Sequence, residues 1–355
     1  MAPLLPDSFQ VDWVNVLSAL APAPAVVIAN LAVRQEWARV ANLVVAGGAV
    51  MLVGASAAYG LAFALAGAGG QPWPPLILLA SVALAAPILS RGVRERLARV
   101  LPLDPESPVD LLALVAVILL VGIQADFQAG HDAIATVAES TPLEPLDVLG
   151  QELPLLLMAL LGVGLFTRRP LPATLERLGV VRPAAWQVLA ALAAAGLFVA
   201  LSQGAEAAQQ WLDPSLSARL GRATSHYYAH ITGGFGIAVI ALAPGISEEL
   251  FFRGALQPRL GLLLAAIAFA AVHTQYALTV DTLLVFVLGF ALGLIRRQFN
   301  TSSSIVCHAA YNALAGIGVA AVFLPYAIAA ELVLALAAGL LWLRAHTAAP
   351  TSTTP

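Results

Sequence analysis

ALAPGISEELFFRGALQPRL, residues 241–260, sets two carboxylates and a guanidinium into a hydrophobic run. Glu248 and Glu249 are adjacent, and Arg253 lies four residues beyond Glu249. The run is typical of the chain and only its charges are unusual. Of 355 residues, 60% are hydrophobic and 10% charged, with a mean hydropathy of +0.88. Soluble domains carry about 25% charged residues. This chain lacks the polar surface to face water on all sides and reads as an all-α, polytopic transmembrane bundle. Its apolar runs do not alternate with a period of two, so they are not strands of a membrane barrel.

A helix needs roughly 20 mostly apolar residues to cross a bilayer. Candidate spans lie at 12–32, 41–67, 75–90, 109–124, 149–166, 185–203, 232–257, 261–277, 282–296, 303–321 and 323–343. The expected count is therefore about eleven, within a range of about 9–13. The first is weak because it holds Asp12, Asn15, Pro22 and Pro24, and the third is short enough to be re-entrant or tilted. Residues 1–145 form N-terminal spans with no assigned role, 146–345 a helical core, and 346–355 a polar tail expected to be disordered.

Every basic side chain is an arginine. Clusters at Arg34 and Arg39, Arg91 to Arg99, Arg168 to Arg182, Arg259, Arg296 and Arg297, and Arg344 fall in every second connection. Segment 125–147 is acidic instead. The positive-inside rule then puts the arginine loops in the cytoplasm, with the N-terminus outside and the C-terminus inside. The plasma membrane is the expected location. Arg219 and Arg222, in the loop 204–231, fall on the wrong side of this scheme. LPATLERLGVVRPAAW, residues 171–186, reads either as a short interfacial helix or as an ordinary basic loop. The first ten residues lack Lys and Arg, so no cleaved signal peptide is expected. Cys307 is the single cysteine, which excludes an internal disulfide. It is adjacent to His308 but points elsewhere on the helix, and reads as a core residue. The arginines are scattered singly or in pairs between apolar runs, which argues against nucleic acid as a partner. The partners expected are the lipid bilayer and a membrane-associated protein or peptide.

Ionisable groups inside a membrane are costly and usually functional. The last third holds the Glu248, Glu249 and Arg253 cluster, His273 in FAAVHTQ, and His308 with Asn312 in CHAAYN. Glu152 and Glu206 stand near span ends and are expected at interfaces. Arg259 and Gly261 bracket a turn between two antiparallel helices near residue 260. Glu248 and His273 each lie roughly 18–20 Å from that turn by helix rise, and so at one depth. His308 and Asn312 are four apart on a third helix and share a face. All four positions can converge below the cytoplasmic surface.

Glu249 and Arg253, also four apart, can neutralise each other. Glu248 points about 100° away and is free for general-base work. His273 can share or relay the proton, and His308 and Asn312 can stabilise an oxyanion. Two His and one Glu (Glu248, His273, His308) can alternatively hold zinc or another divalent metal with a position open. No His-Glu-x-x-His sequence supports that alternative. A buried polar network in a non-enzymatic membrane scaffold is a further reading. A transporter is disfavoured by the lack of internal repeats.

Together the three motifs resemble the CPBP family (CAAX protease and bacteriocin-processing), which includes the type II CAAX prenyl endopeptidases. The family pattern Glu-Glu-x-x-x-Arg is met by Glu248 to Arg253, Phe-x-x-x-His by Phe269 to His273, and His-x-x-x-Asn by His308 to Asn312. The resemblance covers about residues 230–322. It implies an intramembrane endopeptidase, labelled metalloprotease in the family, cleaving near the cytoplasmic face. Glu248 and His273 would activate water, His308 and Asn312 would stabilise the oxyanion, and Glu249 and Arg253 would support the site. It also leaves room for members that act as scaffolds or in bacteriocin immunity.

Overall fold

The computed structural model describes residues 13–67, 69–318 and 324–347. The final tail, from residue 348, lies outside the described residues. Apart from an isolated bridge between Leu165 and Arg169, the regular elements described are helical. The N-terminal half runs α1 (Trp13–Ala19), α2 (Ala23–Leu31), α3 (Ala38–Leu65), α4 (Trp73–Leu89), α5 (Arg91–Leu97) and α6 (Pro108–Gly130). Next come α7 (Ala133–Glu139), α8 (Pro145–Gly162), α9 (Leu171–Arg177), α10 (Ala185–Leu212) and α11 (Pro214–Tyr227). The last third holds α12 (Gly233–Glu248), α13 (Gln257–Ala271), α14 (Val280–Gln298), α15 (Thr301–Ile317) and α16 (Leu324–Thr347). A wide π-helical stretch, Glu249–Leu256, joins α12 to α13.

Six described segments are long and apolar enough to cross a membrane, and the pair α4–α5, bent by 96°, makes a seventh. The chain is an integral membrane protein of the all-α class. The remaining sequence-expected spans are shorter or doubled. The first is two short helices, with Pro22 at their junction. Gly233–Ala271 is one 39-residue segment by hydropathy, but Gly261 breaks it with φ 83 and ψ 172. That left-handed conformation suits glycine, and it turns the two arms back on each other. α14 carries Asp281, Arg296 and Arg297 at its ends. α15 has only 17 residues.

Local sequence explains where the helices around the site begin. Thr279 caps α14 by accepting from the Asp281 N–H at 3.2 Å. Asn300 caps α15 by accepting from the Ser303 N–H at 2.8 Å. Both side chains satisfy amide groups that a helix start leaves unpaired.

The arginine loops gather at one end of the bundle. Arg259 pairs with Asp110 at 3.0 Å. Arg177 donates to the Gly254 carbonyl at 3.4 Å. The Thr301 N–H donates to the Gly179 carbonyl at 3.1 Å. The opposite end is knit by acids: Asp132 to Arg219 at 2.6 Å and Glu144 to His230 at 2.6 Å. The expected loop 204–231 is mostly helical, formed by the end of α10 and by α11. Arg219 is thus neutralised at the acidic end, which removes one of the two misplaced charges. The Ala135 N–H, and after it Arg219, hold the Asp132 carboxyl below its ordinary range. Residues 171–177 of the ambiguous basic stretch are helix α9.

The N-terminal helices pack behind the hairpin. Ala85, Ile88, Leu111 and Val115 share one buried cluster with Phe252, Leu256, Leu260 and Phe269. That cluster anchors the outer back of the two arms that carry the polar residues.

Candidate active site

The Gly261 turn brings the two arms into register. Phe252 and Phe269 meet edge to face at 5.3 Å between ring centres. Further from the turn, His273 Nε2 stands 3.9 Å from Glu248 Oε1. On α15, His308 Nε2 stands 3.9 Å from the other oxygen of the same carboxylate, Oε2. Glu248 therefore lies between two imidazoles, 7% exposed. Both separations exceed direct hydrogen-bond length and suit a bridging water.

Each imidazole is oriented from behind. His273 Nδ1 is 2.7 Å from the Phe269 carbonyl. His308 Nδ1 is 2.9 Å from Glu249 Oε1. A carbonyl or carboxylate oxygen only accepts, so both Nδ1 atoms carry the proton. Both Nε2 atoms are left to face Glu248.

Glu249 has a separate task. Its Oε1 pairs with Arg253 at 2.8 Å as well as with His308, and Glu249 and Arg253 are 0% and 1% exposed. The π stretch is the local setting of this pair, and such widened turns collect at functional sites. The Arg253 guanidinium lies over the Phe269 ring at 4.2 Å and donates to the Gly289 carbonyl at 3.0 Å. One turn on, Gln257 donates to the Gly293 carbonyl at 2.9 Å. Gly289 and Gly293 form a small-x-x-x-small face that lets α14 approach the hairpin backbone. A Cβ at Gly289 would stand 2.7 Å from the Phe269 ring. The sequence reading missed this face, although the Gly-x-x-x-Gly spacing was there to find it.

Asn312 lies one turn beyond His308 and donates to the Ile240 carbonyl at 3.3 Å. Glu248, His273, His308, Asn312 and Phe269 all line one cavity of about 1040 Å³. Glu206 is exposed. Cys307 is fully buried among Ala195, Phe198 and Leu288. Glu152 departs from its expected interface position. It lines the same cavity and is hydrogen-bonded to Ser247, the residue before Glu248. Nothing in residues 149–166 marks it, because its partner comes from a helix distant in sequence.

The cavity's lining includes Thr136, Ser140, Ser225, Tyr227 and Tyr276, all from the acidic end, and no arginine. Helix rise gave the depth of Glu248 below the turn. It could not reveal that the return arm after Gly261 has only ten helical residues, 262–271. That arm spans about 15 Å, half a hydrocarbon core of about 30 Å.

Glu248, His273 and His308 are donor types that a divalent metal accepts, and each imidazole has the outer hydrogen bond that orients a ligand. Among the described residues, however, no group of three His, Cys, Asp or Glu side chains is arranged to hold a metal ion.

Fold and site together define a polytopic membrane protein with a buried cluster of ionisable side chains among its helices. Residues 230–314 match the family model described as type II CAAX prenyl endopeptidase Rce1-like. The match covers less than half of the chain but contains every motif residue named above. It supports an intramembrane protease of the CAAX type in general. No curated protein and no solved structure matches the chain.

Proposed function

We propose that this chain is an intramembrane endopeptidase that hydrolyses a peptide bond of a membrane-associated protein or peptide with glutamate-activated water. The observation that carries this reading is the Glu248 carboxylate facing two imidazole Nε2 atoms, each at 3.9 Å. A water between them gives one proton to Glu248 while the lone pair of His273 Nε2 accepts its other hydrogen bond. The water oxygen bonds to the peptide carbonyl carbon, and the carbonyl oxygen becomes an oxyanion. Asn312 has a second amide N–H besides the one on Ile240 and can donate to that oxygen. His308, whose Nδ1 is 2.9 Å from Glu249 Oε1, has an Nε2–H to donate to the same oxygen only in its doubly protonated form. Collapse of the intermediate breaks the C–N bond, and Glu248 returns its proton to the departing amine. A general base contributes about 10²–10⁴-fold, and one oxyanion donor about 10²–10³-fold.

The test compares wild type with Glu248→Gln, purified in detergent and presented with a membrane-peptide library. The expected result is a folded variant that cleaves nothing. Cleavage at the wild-type rate would remove Glu248 from the chemistry. Because the Glu249, Arg253 and His308 network is buried enough to be purely architectural, a non-enzymatic scaffold is the second reading. On that reading Glu248→Gln keeps its cellular role.

A further inference from the structure

We infer that a second pocket, at the bend between α4 and α5, binds a phosphate ester, and that its surroundings favour the headgroup of a membrane lipid. The pocket lies among the N-terminal helices and shares no lining residue with the cavity around Glu248. Nothing about it depends on peptide cleavage.

Arg94 builds the pocket. α4 is apolar up to Leu89, and RGVRERL, residues 91–97, follows it as α5. The chain bends by 96° where the apolar run ends. Arg94 pins that bend: its Nη1 donates to the Ile88 carbonyl at 3.0 Å and the Leu89 carbonyl at 2.7 Å, and its Nε donates to the Pro105 carbonyl at 2.7 Å. A helix end leaves carbonyls of this kind unpaired. Among the described residues, Nη2 makes no hydrogen bond and no carboxylate stands at ion-pair distance from Arg94. The side chain is only 6% exposed, so a permanent charge is held in one direction with carbonyl dipoles as its neighbours. Buried charges are ordinarily paired, and Arg94 lines a pocket of about 250 Å³.

The other walls set the ligand's chemistry. Arg39 and Asn42 come from α3, and Arg91 and Glu106 flank Arg94. Arg91 Nε holds Glu106 at 2.8 Å and Glu95 at 2.8 Å. Both acids are thus committed to one arginine, and these five charged side chains leave one positive charge over. Arg39 takes part in no ion pair among the described residues. α3 starts beside it, and Trp37 gives no side-chain cap to the first turn, so the positive end of that helix adds to the field. Asn42 Oδ1 is buried without a hydrogen-bond partner, which costs free energy that a ligand hydroxyl or ammonium group would recover. Two guanidinium groups beside one acceptor fit a phosphodiester whose alcohol carries a hydrogen-bond donor.

The surroundings point to a lipid. The loop after α5 lies at the arginine end: Pro102 lies 3.5 Å from where a Cβ on Gly261 would stand, and the Asp104 N–H donates at 2.9 Å to Asp110, the partner of Arg259. Leu43 lines the pocket, and Val40, Leu43 and Val44 are exposed on α3. Acyl chains would cover that apolar flank, whereas a soluble phosphate ester makes no use of it. Basic pockets between membrane helices hold lipid phosphates in this way.

The experiment uses the full chain purified in detergent, mixed with micelles carrying phosphatidylglycerol or phosphatidylcholine. Both have a phosphate and acyl chains, but only the first has hydroxyl donors and a net negative charge. Native mass spectrometry should show phosphatidylglycerol retained in preference to phosphatidylcholine. Arg39→Gln alters an exposed side chain with no partner, so it should fold as wild type does and weaken retention by at least about tenfold. Arg344→Gln, exposed at the end of α16, should retain the lipid like wild type. Glycerol 1-phosphate, titrated against Tm in the same detergent, separates the sources. Lipid retention with no response to glycerol 1-phosphate assigns the pocket to the membrane. A rise in Tm that is lost in Arg39→Gln and that phosphatidylglycerol does not increase assigns it to a soluble phosphate ester. Equal retention of the two lipids with no response to glycerol 1-phosphate, or wild-type binding by Arg39→Gln, overturns the inference.

Discussion

His308 Nδ1 lies 2.9 Å from Glu249 Oε1, and that one contact decides which face of the imidazole Glu248 meets. The carboxylate accepts, so Nδ1 carries a proton and Nε2 is the nitrogen that faces Glu248. The same oxygen holds Arg253 at 2.8 Å. One atom thus links charge neutralisation to the orientation of the site.

Removing one partner of this buried pair should be costly. Arg253→Ala leaves the Glu249 charge without its cation, and breaking such a pair costs about 3–5 kcal/mol. Thermal unfolding in detergent should show a large fall in Tm, together with loss of activity. A Tm within error of wild type would mean the pair is not formed.

Gly289→Ala tests the close approach. Its Cβ would stand 2.7 Å from the Phe269 ring and 3.5 Å from the Arg253 guanidinium. Overpacking of this kind costs about 1–3 kcal/mol. Gly339→Ala, with nothing within 4 Å of its Cβ, serves as the control and should leave Tm and activity unchanged. Equal behaviour of the two variants would remove the steric argument.

Glu152 offers a separate check on the single-base mechanism. Ser247 bonds to Glu152 and also lies 2.7 Å from the Ala243 carbonyl. Ser247→Ala leaves a buried acceptor unsatisfied, at about 1–3 kcal/mol. Glu152→Gln keeps a hydrogen-bonding group there, so it should lower activity less than Glu248→Gln does. Complete loss in Glu152→Gln would make the base a pair of carboxylates, and kinetics of both variants on one peptide would decide.

Metal content is measurable directly. With water activated by Glu248, protein dialysed against a chelator should retain cleavage, and elemental analysis should find far less than one zinc per chain. Stoichiometric zinc that disappears in His273→Ala would turn Glu248, His273 and His308 into a ligand set.

Much of the site was legible in residue spacing because helices convert sequence distance into depth at a fixed rise. Arg259 and Gly261 marked the turn, and twelve residues back and thirteen forward from residue 260 brought Glu248 level with His273. The spacing of four paired Glu249 with Arg253 for the same reason. What stayed hidden depends on contacts between distant segments. Glu152 meets Ser247 across 95 residues, and Arg219 meets Asp132 across 87. Nor does hydropathy separate a helix that crosses the bilayer from one that stops halfway. That is why 261–277 reads as a full span although its helix ends at Ala271. The long apolar runs were plain for the opposite reason: a bilayer imposes one length and one polarity on anything that crosses it.

The turn at Gly261 has a consequence for how this chain can vary. Gly261 is the backbone reversal between the arms, so the hairpin works like a vernier scale with one fixed zero. A residue inserted between Glu249 and Leu260 would slide Glu248 by about 1.5 Å and swing it by about 100°. His273 would stay where it is. Substitutions along the outward surface of either arm leave that registration intact. Insertions and deletions between Glu248 and His273 should therefore be selected against far more strongly than changes of residue type, whatever the substrate.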